Sequence, residues 1–196
     1  MTKNTSLLFL FLMTGLSYAQ RDTINYDKNW NECSAENARY YRIYYFNTDS
    51  TGSVVDYYKK LDRVQMKGGY RDTSFETMVG HFQYFDKNGD TTYKRTYNEE
   101  GGLHGLWQVY NRDGTLCCEL TYKDGVKHGP NNIYYKNGQL KGTVNYVNSK
   151  LEGWYTTYRR NGSIKKEIEF EDDYYTGNRR KYSRNGNRVK GIIVHD

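Results

Sequence analysis

The chain has 196 residues, 29 Lys plus Arg against 23 Asp plus Glu for a formal charge of +6, and 22 Tyr beside a single Pro. So mild a basic excess does not mark a specific nucleic-acid binder, and Leu, Ile and Val are too sparse for a thick aliphatic core. Tyr is amphipathic and can be half-buried on both faces of a thin sheet; strong polarity alone would suit disorder, but here rings recur at a fixed phase.

The N-terminus carries Lys3, an apolar run from Leu7 to Met13, and Ser17-Tyr18-Ala19 before Gln20. This order predicts a secretory signal peptide over residues 1–19, cut after Ala19. The apolar run falls well short of the roughly 20 residues a membrane span needs, so an uncleaved anchor is the weaker alternative. No Cys follows the run, which argues against a lipid-anchored lipoprotein, and no second hydrophobic stretch occurs downstream. The expected location is exported: periplasmic, outer-membrane associated or secreted. Losing Lys3 and no acid takes the charge from +6 to +5.

Residues 20–65 read as an N-terminal non-repeat cap with a β-hairpin, built from strands Arg39–Phe46 and Ser53–Leu61, with 20–38 expected to be poorly ordered. Residues 66–196 read as a repeat domain. Gly80, Gly105, Gly129, Gly153 and Gly177 recur at steps of 25, 24, 24 and 24. Five residues after each stands a ring (Phe85, Tyr110, Tyr134, Tyr158, Tyr182), and nine after it another Gly (Gly89, Gly114, Gly138, Gly162, Gly186). A fixed period of this length is the mark of a stacked-repeat architecture. Within a unit, a short strand leads to Asp-Gly or Asn-Gly, a hairpin signal because those residues accept positive φ. The second strand places Leu116, Leu140 and Ile164, then Leu120, Val144 and Ile168, then Tyr122, Tyr146 and Phe170 at one parity, predicting one apolar face. The other parity, with Glu119, Lys141, Thr143, Lys165, Glu167 and Glu169, is expected to be wet. One hairpin is too small to stand alone, but stacked neighbours complete one another. The expected fold is therefore all-β: an elongated single-layer antiparallel sheet of hairpin repeats of about 24 residues, ten strands and roughly 48 Å long at strand spacing.

The succession Gly-x-Trp/Tyr-x-x-Tyr, an Asn-Gly or Asp-Gly turn, an aliphatic strand ending in Tyr and then Gly-x-x-x-Gly resembles the MORN-repeat variant of bacterial proteins of the YwqK type. It spans about residues 80–196, and Tyr122–Gly142 resembles it most. The resemblance implies a twisted ribbon of hairpins acting as a lipid-binding or protein-scaffolding module. The antitoxin label such proteins often carry does not suit an exported chain. The sequence departs from the motif at Pro130 and Asn131, which replace the Trp-bearing start, and at Arg179, where a ring gives way to charge.

Catalytic signals are missing. There is no GxxxxGK[ST], GxSxG or HExxH, so no enzyme, cofactor or metal is expected. His104 and His128 precede leading glycines and read as loop residues about two strands apart, too far to share a metal. Glu167, Glu169, Glu171, Asp172 and Asp173 read as a solvated face and turn. Cys33, Cys117 and Cys118 are an odd number of thiols; the adjacent pair is expected to point to opposite faces of a strand and all three to be packing residues. Two surfaces remain as candidates. Trp107, Tyr110, Tyr134, Trp154, Tyr158 and Tyr182 form a candidate aromatic ladder that could take a sugar chain or a peptide strand or simply join hairpins. Arg179, Arg180, Lys181, Arg184, Arg188 and Lys190 form a basic cluster that could meet an anionic lipid or polyanion or merely protect a sheet end. The leading expectation is a non-enzymatic protein-binding or scaffolding module at the cell envelope, with anionic-surface attachment as the alternative and an envelope hydrolase behind both.

Overall fold

The computed structural model describes residues 20–46 and 51–189. Fourteen antiparallel strands make one open sheet: β1 Gln20–Tyr26, β2 Tyr40–Phe46, β3 Gly52–Tyr58, β4 Arg63–Tyr70, β5 Met78–Phe85, β6 Thr91–Tyr97, β7 Gly105–Tyr110, β8 Leu116–Lys123, β9 Val126–Lys127, β10 Gly129–Tyr134, β11 Leu140–Val147, β12 Lys150–Tyr158, β13 Ile164–Glu171 and β14 Tyr174–Lys181. Sequence order is spatial order, with β9 and β10 both pairing β8. The stacked-hairpin reading is thus the observed architecture, extended by strands before the repeats. Residues 20–38, expected to be poorly ordered, instead supply β1, paired with β2 from Gln20↔Phe46 to Tyr26↔Tyr40, and a 3-10 turn at Ala35–Asn37. The apolar and aromatic residues Ile24 and Tyr26 give that strand a face to bury. Residues 1–19, with the expected signal peptide, lie outside the described residues.

Backbone geometry explains both glycine columns. At the hairpin turns Gly162 has φ +82° and Asn161 does not adopt positive φ, and the turn closes with Arg159 N–H donating to Ser163 O at 2.8 Å. These are turns with one left-handed residue. The two-residue turns with both central residues left-handed join successive units instead, at Asp124-Gly125, Asn148-Ser149 and Asp172-Asp173. The leading Gly153, φ +80°, sits where three residues of β12 face one of β11, between the pairs Thr143↔Thr156 and Asn145↔Glu152.

A bulge next to the hairpin turn corrects the expected apolar parity. Pairing runs Val109↔Cys118 and then Tyr110↔Leu116, and likewise Thr157↔Lys166 then Tyr158↔Ile164. One extra residue on the second strand reverses which side follows. Leu116, Leu140 and Ile164 therefore share the face of the +5 tyrosines, which we term the back. Leu120, Val144 and Ile168 lie on the other face, the front. The bulge also sets Cys117 beside Cys118 rather than on the opposite side, and burial together with that neighbour pushes the Cys118 thiol up. All three cysteines are free thiols.

The densest packing is on the front of the first half. Val54, Met66, Tyr70 and Phe82 are buried there, with Tyr44, Phe46, Phe75, Met78, Tyr84 and Tyr97 around them. Residues 71–77 between β4 and β5 fold back over this face and set Phe75 edge-on to Tyr44 and Tyr70 at 5.1 and 5.5 Å. Gly68 is needed for space: an added Cβ would lie 2.2 Å from the Phe82 ring. Beside this cluster Arg42 grips Asp56 through two bonds of 2.7 and 2.9 Å and lies 4.9 to 5.5 Å from the rings of Phe75, Tyr70 and Tyr26. Burial pushes the Asp56 carboxyl up and Arg42 offsets only part of that, while the carboxylate holds the guanidinium firmly protonated.

Candidate functional site

Cross-strand register assembles a polar row across the back of the sheet. Lys67↔Gln83, Gln83↔Lys94, Lys94↔Gln108 and Gln108↔Glu119 carry it through the first repeats. It continues as Asn132, Thr143, Thr156, Glu167 and Arg180. Side-chain bonds link its members: Gln108 Nε2 donates to Glu119 Oε1 at 2.9 Å and Thr143 Oγ1 to Asn132 Oδ1 at 2.7 Å. Burial pushes Glu119 up, yet the bonds from Tyr134 and Gln108 outweigh it and leave the carboxyl below its ordinary value. The row was not legible beforehand, because which strands of adjacent units face each other depends on the bulge at the leading glycine. The signal was present: position +3 is polar in all five units and position +14 in the first four.

The aromatic candidates divide between the two faces. Tyr110, Tyr134, Trp154, Tyr158 and Tyr182 lie on the back, Trp107 on the front beside Tyr93 and Tyr122 at 6.5 and 5.9 Å. Trp107 stands at +2 and Trp154 at +1, and one residue reverses direction in a strand. The back tyrosines meet the polar row. Tyr134 Oη donates to Glu119 Oε2 at 2.6 Å, and Tyr182 Oη to Glu167 Oε2 at 2.6 Å, each tying one hairpin to the previous one. Burial and the adjacent carboxylate push the Tyr134 phenol up to about 12. Tyr110 instead receives Lys94 over its ring at 5.6 Å. The unit starting at Gly129 has Thr143 where its neighbours have Glu, and among the described residues no hydrogen bond is made by the Tyr158 hydroxyl.

The basic candidates are likewise separated. Arg180 is on the back, stacked 3.8 Å from the Trp154 ring centroid and 3.5 Å from Glu167. Lys181 is on the front, directly opposite Lys166. Arg184 stands at the last described turn, Arg188 bridges to Tyr182, and Lys190 lies outside the described residues. The acidic run is spread out too: Glu169 accepts from Asn178 and Thr176, which hold its carboxyl low, while Asp172 pairs with Lys150 at 2.6 Å. Among the described residues no group of His, Cys, Asp and Glu could hold a metal ion, and no helix is long and apolar enough to cross a membrane.

The front changes character along the sheet. Val54 and Phe82 are each 1% exposed under their cover, whereas Ile133 is 40% exposed. Leu120, Val144, Tyr155 and Ile168 are half-buried in the same stretch. Residues 103–124 and 127–148 match the MORN repeat variant, so the chain carries MORN-type units. No curated protein matches it. Such repeats are generally non-catalytic modules that bind proteins or membranes.

Proposed function

We propose that this MORN-repeat protein is an exported, non-enzymatic scaffold that docks another envelope or extracellular protein on the uncovered front of its second half. The observation that carries this reading is the contrast within one face. In the first half the chain covers its own apolar front with residues 71–77, inserting Phe75 between Tyr44 and Tyr70. From β8 to β13 the same face presents Leu120, Ile133, Val144, Tyr155 and Ile168, and among the described residues no such segment lies over them. A protein partner that lays apolar side chains along this stripe repeats what 71–77 does internally. Contiguous exposed apolar surface of this kind marks interaction sites.

Export is supported by the signal pattern of Lys3, the apolar run from Leu7 to Met13 and Ser17-Tyr18-Ala19. Fractionation with N-terminal sequencing is expected to find a chain starting at Gln20 outside the cytoplasm, and a cytoplasmic full-length chain would refute it.

Docking is tested by photo-crosslinking in the native envelope. The expected result is a crosslinked species lost in Ile133→Lys and kept in Leu106→Lys, a similarly exposed residue on the back. Equal yields from both variants would refute the front as the docking face.

A further inference from the structure

The second half of the sheet is electrically divided between its two rims. The connections joining successive units carry Asp124, Glu152, Glu171, Asp172 and Asp173 against Lys123, Lys127 and Lys150. The hairpin-turn rim from Tyr135 onward carries Lys136, Arg160 and Arg184, of which Lys136 pairs with Asp113 of the preceding turn at 3.2 Å. Next to these turns the bulge positions hold Lys141 and Lys165. With Tyr135, Tyr155, Lys166 and Ile168 they line a hollow of about 250 Å³ on the front.

Three features set Lys141, Lys165, Lys166 and Lys181 apart from the cations that serve the fold. Lys166 and Lys181 are direct cross-strand partners, and like charges so placed destabilise a sheet. Lys141, Lys165, Lys166 and Lys181 make no ion pair among the described residues. By contrast, other nearby cations are fully used: Arg159 donates to the carbonyls of Ile164 and Tyr182, clasping two hairpins, and Arg180 is neutralised on the back. The remaining cations are arranged around rings. Lys141 Nζ and Arg160 Cζ lie 6.0 and 5.8 Å from the centroid of the Tyr135 ring.

Spacing selects among anions. Lys166 and Lys181 sit on neighbouring strands, while Lys141 and Lys165 stand one hairpin apart, two strands or roughly 9.6 Å. That is close to the distance between alternate sugars in an extended β-linked glycan, whereas a nucleic acid strand carries a charge on every residue. Lysine is a flexible point charge, suited to a carboxylate it need not grip bidentately, and tyrosine rings offer apolar surface with a polar tip to sugar rings.

We propose that the hairpin-turn rim, centred on Lys141, Lys165, Lys166 and Lys181 with Tyr135 and Tyr155, binds an acidic polysaccharide that bears carboxylates on alternate sugars. This site adjoins the apolar stripe and shares Tyr155 and Ile168 with it, but it does not rest on the docking reading. The two are tested by different substitutions.

The probe is hyaluronan, which has a uronate on every second sugar, titrated calorimetrically into the protein at low salt. Binding is expected, weakening steeply as salt screens the contact. The triple variant Lys141→Gln/Lys165→Gln/Lys166→Gln should lose at least about tenfold in affinity, while Lys123→Gln on the opposite rim binds as the parent does. Lys166→Gln alone, without ligand, should melt no lower than the parent because it relieves a like-charge pair, which separates a binding loss from misfolding. Absence of hyaluronan binding would overturn the proposal, as would affinity unchanged in the triple variant. Equal or tighter binding of a single-stranded oligonucleotide, or of phosphatidylglycerol vesicles, through the same lysines would replace the saccharide with that ligand and overturn it too.

Discussion

Replacing Tyr134 with Phe removes one oxygen and leaves the ring, so it isolates the bond that ties the third hairpin to the second. The bond is short, 2.6 Å, and its acceptor is a half-buried carboxylate. Hydrogen bonds to charged groups contribute about 1.5–3 kcal/mol net. Glu119 keeps its bond from Gln108, which places the loss near the low end, about 1.5 kcal/mol. At roughly 2–4 °C per kcal/mol for a chain of this size, Tm should fall by about 3–6 °C. Tyr182→Phe should behave alike, since its hydroxyl meets Glu167 in the same way. Tyr158→Phe should be nearly silent, although it stands in the same sequence column. NMR titration supplies a second readout: with Tyr134 gone, burial acts on Glu119 against one fewer donor, and its pKa should rise. Equal melting of all three variants, with Glu119 titrating unchanged, would refute the hydroxyl-to-carboxylate tie.

Two glycines separate space from backbone conformation. Gly68→Ala should cost about 1–3 kcal/mol by overpacking Phe82, whereas Gly162→Ala has nothing within 4 Å and should cost only the left-handed penalty of about 1–2 kcal/mol; denaturant melts that rank them in the other order by a wide margin would contradict this. Asp56→Ala strands the Arg42 guanidinium among rings and should cost about 3–5 kcal/mol, so a melt within experimental error of the parent would show the pair to be dispensable. Acid should destabilise the fold. Thr115 and Lys136 hold Asp113 down to about 2, and Asp124, Glu119 and Glu169 are also held low. Unfolded carboxylates take up protons near 4. The stability these groups confer is therefore full above about pH 5 and lost as pH falls toward 2, with Asp56, raised by burial, offsetting part of it. A Tm flat or rising from pH 5 to 2 would contradict that sum.

Most of the architecture was legible because two unbroken glycine columns and one ring column fixed the period, and the period fixed the hairpin. What the columns could not show was the consequence of one extra residue per unit. The bulge opposite Tyr110 and Tyr158 turns Leu116 and Ile164 to the back, so parity counted straight through the second strand goes wrong at its start. The same limit hid the polar row, since Gln108 and Glu119 belong to one hairpin but Glu119 and Tyr134 to two. Trp107 and Trp154 look alike in the repeat and differ by one position, enough to put them on opposite faces. The first half was harder still. Its sequence has no period, yet Ile24, Arg42, Asp56 and Met66 fall into one cross-strand line that only the register reveals.

The account stands or falls on the units lying side by side in a single open sheet. Thirteen strands in line at about 4.8 Å give a body nearly 60 Å long, and small-angle scattering of residues 20–196 should return a radius of gyration of roughly 20 Å and an elongated distance distribution. A compact domain of this length has a radius of about 16 Å, and a symmetric distribution at that value would contradict the ribbon.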